Sequence, residues 1–207
     1  MNPRPKFWFN ILLLGDTKTG KTNLIRRLQN QPPFDWDNTA KLTQSTEYIA
    51  VNYQINKNDN LKLLIWDSPG KDIFRSNAFF LYKGIHCFFV VYDITNRKSF
   101  KNLEKWFEEI TKKGKDGAVM ILLGNKCDLE EKRQVSYEEG RALAEEKGMM
   151  FFEVSAKTSE GVRYCLETMA KELYNDKMED GMRIKSSIEN SKAKKDSSMT
   201  LSICSCF

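Results

Sequence analysis

The chain has 207 residues, enough for one sizeable core and short for two. Apolar residues make up 41% and charged residues 29%, ordinary proportions for a globular protein, and the net charge is a mild +5. No long basic tract and no interleaving of aromatic with basic residues points to nucleic acid, so a near-neutral solvated surface is the simpler reading of the charge.

The run FWFNILLLG, residues 7–15, follows Arg4 and Lys6 as a leader sequence would. It is too short to span a bilayer and runs directly into a glycine-bearing loop, so it is expected to be a buried strand. Asn2 excludes N-myristoylation. Residues from about Lys21 to Gln29 fit a helix. TEYIAVNYQI and LKLLIWD alternate and flank the polar turn NKNDN, which predicts a hairpin. HCFFVVYDI, AVMILLGNK and FFEVSA are short continuous apolar runs, as in a sheet covered on both faces. Between them, SFKNLEKWFEEITKK puts Phe100, Leu103, Trp106, Phe107 and Ile110 on one helical face. SYEEGRALAEEKG opens with Ser136 and has Glu139 three residues on, a capping-box spacing. SEGVRYCLETMAKELYN is expected to start at Ser159 as cap. The order predicts an α/β sandwich, mostly parallel, with one antiparallel edge strand.

Cys87, Cys127 and Cys165 show no metal-ligand spacing, and Cys87 and Cys127 lie in or beside strand-like runs, which suits small buried hydrophobes in a reducing compartment. His86, the single histidine, opens an apolar strand and is expected to be structural. Apolar periodicity stops near Tyr174. Residues 178–207 are polar and rich in Ser and Lys, and are expected to form a flexible tail after a domain of residues 6–177.

Four motifs carry chemistry. GDTKTGKT, residues 15–22, follows a strand and opens a helix, as the phosphate-loop pattern G-x-x-x-x-G-K-[ST] requires. Backbone N–H groups there would cradle phosphates, Lys21 would reach the β and γ phosphates, and the Thr22 hydroxyl would bind Mg²⁺. NKCD, residues 125–128, ends a buried strand. The Asp128 carboxylate offers two acceptors to two adjacent donors, the pair that guanine presents and adenine lacks. SAK, residues 155–157, holds the same place one strand later. In WDSPG, Asp67 at a strand end can hold Mg²⁺ through water, and the Gly70 N–H can meet the γ phosphate.

These stretches, with FFLYKGI, FFVVYDIT and NLEKWF, resemble the Rab family of the Ras superfamily of small GTPases over roughly residues 7–175. The resemblance implies a P-loop small GTPase fold, a six-stranded mostly parallel sheet with one antiparallel edge strand and about five helices. It implies GTP/GDP and Mg²⁺ as ligands and a monomeric switch in vesicle trafficking. That switch would work with an exchange factor, an activating protein and effectors on the cytoplasmic face of an intracellular membrane. The nucleotide contacts carried over are Gly15, Thr17, Lys18, Thr19, Gly20, Lys21, Thr22, Asn23, Phe34, Thr43, Gly70, Asn125, Lys126, Asp128, Ser155, Ala156 and Lys157. Thr43 would cap Mg²⁺ with Thr22 and Asp67, with Thr39 as the other candidate; Trp36 competes with Phe34, and Lys18 has a solvent-facing reading. Tyr48, Trp66 and Leu81 fall where Rab proteins expose a hydrophobic partner surface.

The chain departs from the family at several points. Pro32 and Pro33 lengthen the segment before Thr43, QSTEY replaces a glycine-bearing stretch, and Pro69 replaces a small residue. Lys71 stands where the family has a glutamine that orients the attacking water. An ammonium has three donors and no acceptor, so it cannot receive that water's proton. Slow hydrolysis is expected, with a GTP-binding module of negligible turnover as the alternative. Two further readings stand beside these: Lys71 as a cation on the transferring phosphate, and Lys71 as a solvated surface lysine. CSCF closes the sequence. Read as C-a-a-X with Phe last, it marks Cys204 for geranylgeranylation, with Cys206 as second candidate for a prenylated anchor.

Overall fold

The structure is a computed structural model and describes residues 5–28, 47–68 and 82–180. Strand β1 (Phe7–Leu14) leads through a loop into helix α1 (Lys21–Leu28). Strands β2 (Glu47–Gln54) and β3 (Asn60–Asp67) form the expected hairpin. Its turn is set locally: Asn56 Oδ1 accepts from the amides of Asn58 and Asp59, both at 2.8 Å. Then come β4 (Cys87–Asp93), α2 (Arg97–Lys101), α3 (Leu103–Lys113), β5 (Val119–Asn125), a 3₁₀ turn (Glu130–Lys132), α4 (Tyr137–Glu146) and β6 (Met150–Val154). Helix α5 covers 162–180.

The six strands lie in the order β2-β3-β1-β4-β5-β6. Only the β2–β3 pair is antiparallel, which puts the antiparallel strand at the sheet edge, as expected. Alternate side chains of β1 reach opposite faces. Phe9, Ile11 and Leu13 meet Leu24 and Ile25 of α1 and Val162, Cys165, Leu166 and Met169 of α5. Leu12 and Leu14 meet Leu103, Trp106, Phe107 and Ile110 of α3 and Ala144 of α4. Each fully buried Leu or Ile contributes roughly 1.5–3 kcal/mol, so the two apolar layers carry the fold. All seven residues of β4 are buried, which is why that strand reads as an unbroken apolar run.

Cys87 and Cys165 are buried, and Cys127 is partly covered because it belongs to the loop after β5. His86 is structural: its Nδ1 accepts from the Asn10 amide at 3.0 Å, its ring stands edge-on to Phe9, and burial lowers its pKa.

Three local expectations differ from the structure. The helix expected over 99–113 is broken at Asn102, whose amide closes α2 on Lys98 O while its side chain leaves the helix for the loop after β1. Ser159 does not cap α5: it sits at φ 73° inside a turn, whereas an N-cap residue takes extended geometry, and the helix begins at 162. Helix α5 also runs on to 180, past its apolar stripe at Leu173 and past the helix end expected at Asn175.

The capping box of α4 forms as expected. Ser136 Oγ accepts from the Glu139 amide at 3.1 Å, and Glu139 Oε2 accepts from the Ser136 amide at 3.0 Å. Arg97 adds a 2.5 Å ion pair to the same carboxylate. Arg97 and then the Ser136 amide pull the Glu139 carboxyl down to about 2. A carboxylate whose folded pKa is depressed stabilises the fold above its unfolded value, and that contribution is lost as pH falls toward the folded one. The group is exposed and screened, so Glu139→Gln is expected to cost about 1 kcal/mol at pH 7. Urea unfolding of both proteins should show that difference shrinking between pH 5 and pH 3.

Candidate functional site

The parallel strands end along one edge of the sheet, and the loops that follow carry the motif residues, at the place where open α/β sheets bind ligands. β1 delivers Gly15–Gly20, β3 delivers Asp67, β4 delivers Asp93, β5 delivers Asn125–Asp128 and β6 delivers Ser155–Lys157.

Two glycines make the first loop possible. Gly15 has φ 140°, and a Cβ there would lie 2.1 Å from the Val91 carbonyl oxygen. Gly20 has φ 94°, and a Cβ there would lie 2.2 Å from Asn125 Nδ2. Lys21 folds back over the loop, donating to the carbonyls of Gly15 at 2.8 Å and Asp16 at 2.9 Å. Burial pushes its ammonium down to about 8, against the pull of Asp67 and Asp16. Thr19 is buried, and its hydroxyl donates to Asp16 O at 2.9 Å. Thr17 and Asn23 are half-buried, and Lys18, at φ 67°, is exposed, in line with its solvent-facing reading.

Thr22 and Asp67 fit a divalent cation. They arrive from α1 and β3, and the Thr22 hydroxyl donates to Asp67 Oδ2 at 2.6 Å. A hydroxyl and a carboxylate are hard oxygen donors of the kind Mg²⁺ takes.

The base end is assembled by Asn125, which is 1% exposed. Its Nδ2 donates to Thr19 O at 2.7 Å, and its Oδ1 accepts from the Ala156 amide at 3.1 Å. One amide therefore joins the loop after β1 to the loop after β6. Asp128 Oδ1 accepts from Ser155 Oγ at 2.6 Å, and the same Oγ accepts from the amides of Lys157 and Thr158. The carboxylate is thus fixed in direction by a serine whose own orientation is fixed. Lys157 is exposed. Thr43, Phe34, Gly70, Lys71, Leu81, Cys204 and Cys206 lie outside the described residues, as do Thr39, Trp36 and Pro69.

Sequence reasoning missed several residues. One is Asp93 at the end of β4, whose Oδ2 lies 2.5 Å from the ammonium of Lys126; Lys126 itself, an expected contact, stands at φ 70°, a strained geometry for a side-chain-bearing residue. Asp93 Oδ1 in turn accepts from the Thr95 amide and hydroxyl. The signal was an acid at the end of a fully apolar run. Arg27 of α1 donates from Nε to Ala156 O at 2.7 Å and from Nη2 to Lys157 O. No local pattern marks this pair, because the partners are 129 residues apart. Asp16 accepts from Asn102 and Trp106 of the α3 region. Arg27→Met frees the carbonyl side of the 155–157 loop. It should speed release of a fluorescent guanine nucleotide by roughly five-fold, and Arg27→Lys should not restore it, because lysine lacks the planar fork whose Nε and Nη2 reach the two carbonyls from separate nitrogens.

A family model described as Ras family matches residues 10–175. "Ras-related protein RIC1" of Oryza sativa subsp. japonica is 38% identical over 179 residues, covering 84% of this chain and 85% of its own. "GTP-binding protein ypt2" of Schizosaccharomyces pombe is 35% identical over 177 residues, 84% of each chain. "Ras-related protein Rab-13" of Bos taurus is 38% identical over 169 residues, 80% of this chain and 79% of its own. A phosphate loop at the end of the central strand and likeness along most of the length agree, and the chain belongs to the Rab family of Ras-related small GTPases, a family of GTP hydrolases.

Proposed function

We propose that this protein is a guanine-nucleotide switch of membrane traffic with slow intrinsic hydrolysis, held on the cytoplasmic face of an intracellular membrane and cycling with the cytosol. The observation that carries the nucleotide assignment is Asn125, whose single buried amide ties the phosphate loop to the loop bearing the Ala156 N–H. In this reading the amides of residues 15–22 and Lys21 receive the phosphates. Thr22, Asp67 and Thr43 hold Mg²⁺, which when bound neutralises charge on the β and γ phosphates. Asp128 accepts the ring N–H and amino group of guanine, the Ala156 N–H, shared with Asn125 Oδ1, meets its keto oxygen, and the Lys126 stem lies along the ring, kept there by Asp93.

Slow hydrolysis follows from the residue at 71. The attacking water needs an acceptor to orient it, and a lysine ammonium has none. The same observation favours the second reading, a GTP-binding module that signals by occupancy with negligible turnover. Tyr48 and Trp66 support a partner surface on β2 and β3: their rings lie 4.7 Å apart, and Tyr48 is 56% exposed. With Leu81 they would receive exchange factor, activating protein and effectors. Cys204 and Cys206 would carry the lipid anchor. No helix among the described residues is long and apolar enough to cross a membrane.

Two measurements test this reading. Inosine triphosphate lacks the amino group that Asp128 would accept, so it should bind roughly 10–100-fold more weakly than GTP, and Asp128→Ala should erase that gap. In single-turnover assays Lys71→Gln should hydrolyse GTP faster than the natural chain; no acceleration contradicts the role given to Lys71. Lys71→Ala separates the remaining case, since further slowing would make Lys71 a cation acting on the transferring phosphate.

A further inference from the structure

The residue after Gly15 is an aspartate, so a loop that receives phosphates carries a carboxylate of its own. Electrostatics opposes that placement, because a carboxylate and a phosphate repel each other, the more strongly where water is excluded. The structure shows where the charge is kept. Asn102 Nδ2 donates to Asp16 Oδ2 at 2.6 Å, and Trp106 Nε1 donates to Asp16 Oδ1 at 3.1 Å. Each carboxylate oxygen has one neutral donor, and both donors come from the start of α3, across the sheet edge from α1.

The price of this arrangement is visible in the helix. Asn102 occupies the N-cap position of α3 yet makes no side-chain cap bond, although asparagine is among the best caps. Its amide is committed to Asp16 instead. Trp106 is 1% exposed, so its N–H is fixed in direction by the core around it. On the other side of the same residue, Asp16 O already accepts from Lys21 Nζ and Thr19 Oγ1. The carboxylate is therefore tethered one residue's reach from the ammonium and the amides that take the phosphates, and its charge is felt at Lys21.

We propose that Asn102 and Trp106 are positioning residues of the phosphate loop, holding the Asp16 carboxylate against α3 and away from Lys21 and the loop amides. Released, that carboxylate becomes an internal competitor for the phosphate site, at the high local concentration of a tethered group. The proposal rests on the nucleotide assignment above.

The test uses the full chain with Mg²⁺ and mant-GDP as probe. Trp106→Phe keeps the ring and loses the donor; Asn102→Leu keeps the bulk and loses the amide. Together they should speed mant-GDP release roughly ten-fold. Adding Asp16→Ala should recover most of that loss, a reversal that simple loosening of a helix contact does not produce. Release at the natural rate in the double variant overturns the proposal, and so does a triple variant as fast as the double or faster. Should the double variant fail to fold, Trp106→Phe with and without Asp16→Ala gives the same comparison: acceleration that Asp16→Ala reverses supports the proposal, and acceleration it does not reverse, or none, overturns it. These failures leave the natural chain binding mant-GDP. A natural chain that takes up none strikes the nucleotide assignment itself, and the proposal with it.

Discussion

One buried amide holds this architecture to its purpose. Asn125 ends β5, donates to the carbonyl of Thr19 and accepts from the amide of Ala156. A parallel sheet brings its strand ends to one edge but does not fix the loops beyond them, and loops are where local stability is lowest. Asn125 supplies a fixed distance between two of those loops. Gly20 must be glycine for the amide to fit, since a Cβ there would collide with Asn125 Nδ2. The proposed phosphate and base sites are in this sense one site, and the backbone freedom at residue 20 is part of the same contact.

Around that contact the structure repeats a single device, a side chain from one element tied to a loop on another. Arg27 of α1 grips the carbonyls of 156 and 157. Asp93 of β4 anchors the Lys126 ammonium, and Ser155 aims the Asp128 carboxylate. Asn102 and Trp106 of the α3 region hold Asp16. Such ties order a site before its ligand arrives, which lowers the ordering that binding must impose.

Much of this was legible in the chain itself. Strands β4, β5 and β6 announced themselves as unbroken apolar runs because helices cover both sides of the sheet, and the alternation of β2 and β3 around NKNDN gave the edge hairpin. The motifs at 15–22, 125–128 and 155–157 sit where strand-end topology requires them. What stayed hidden depends on contacts between distant residues. The Arg27 bonds cross 129 and 130 positions, that of Lys126 crosses 33 and those of Asp16 cross 86 and 90. The break at Asn102 is hidden for the same reason: helical periodicity continues through it, and only the demand of Asp16 for a donor explains why the asparagine turns away from its own helix. Ser159 misled because serine before a helix is a good cap in general, while here the backbone takes a left-handed turn first.

The measurement that bears most directly on this account is the guanine-nucleotide affinity of Asn125→Ala, set beside its fold. Loss of two buried hydrogen bonds that join the phosphate and base loops should weaken GDP binding by about a hundred-fold or more, with the circular-dichroism spectrum and the apolar layers intact. Binding within a few-fold of the natural chain would show that the two loops do not need this tie, and the account of a single site held together at residue 125 would be wrong.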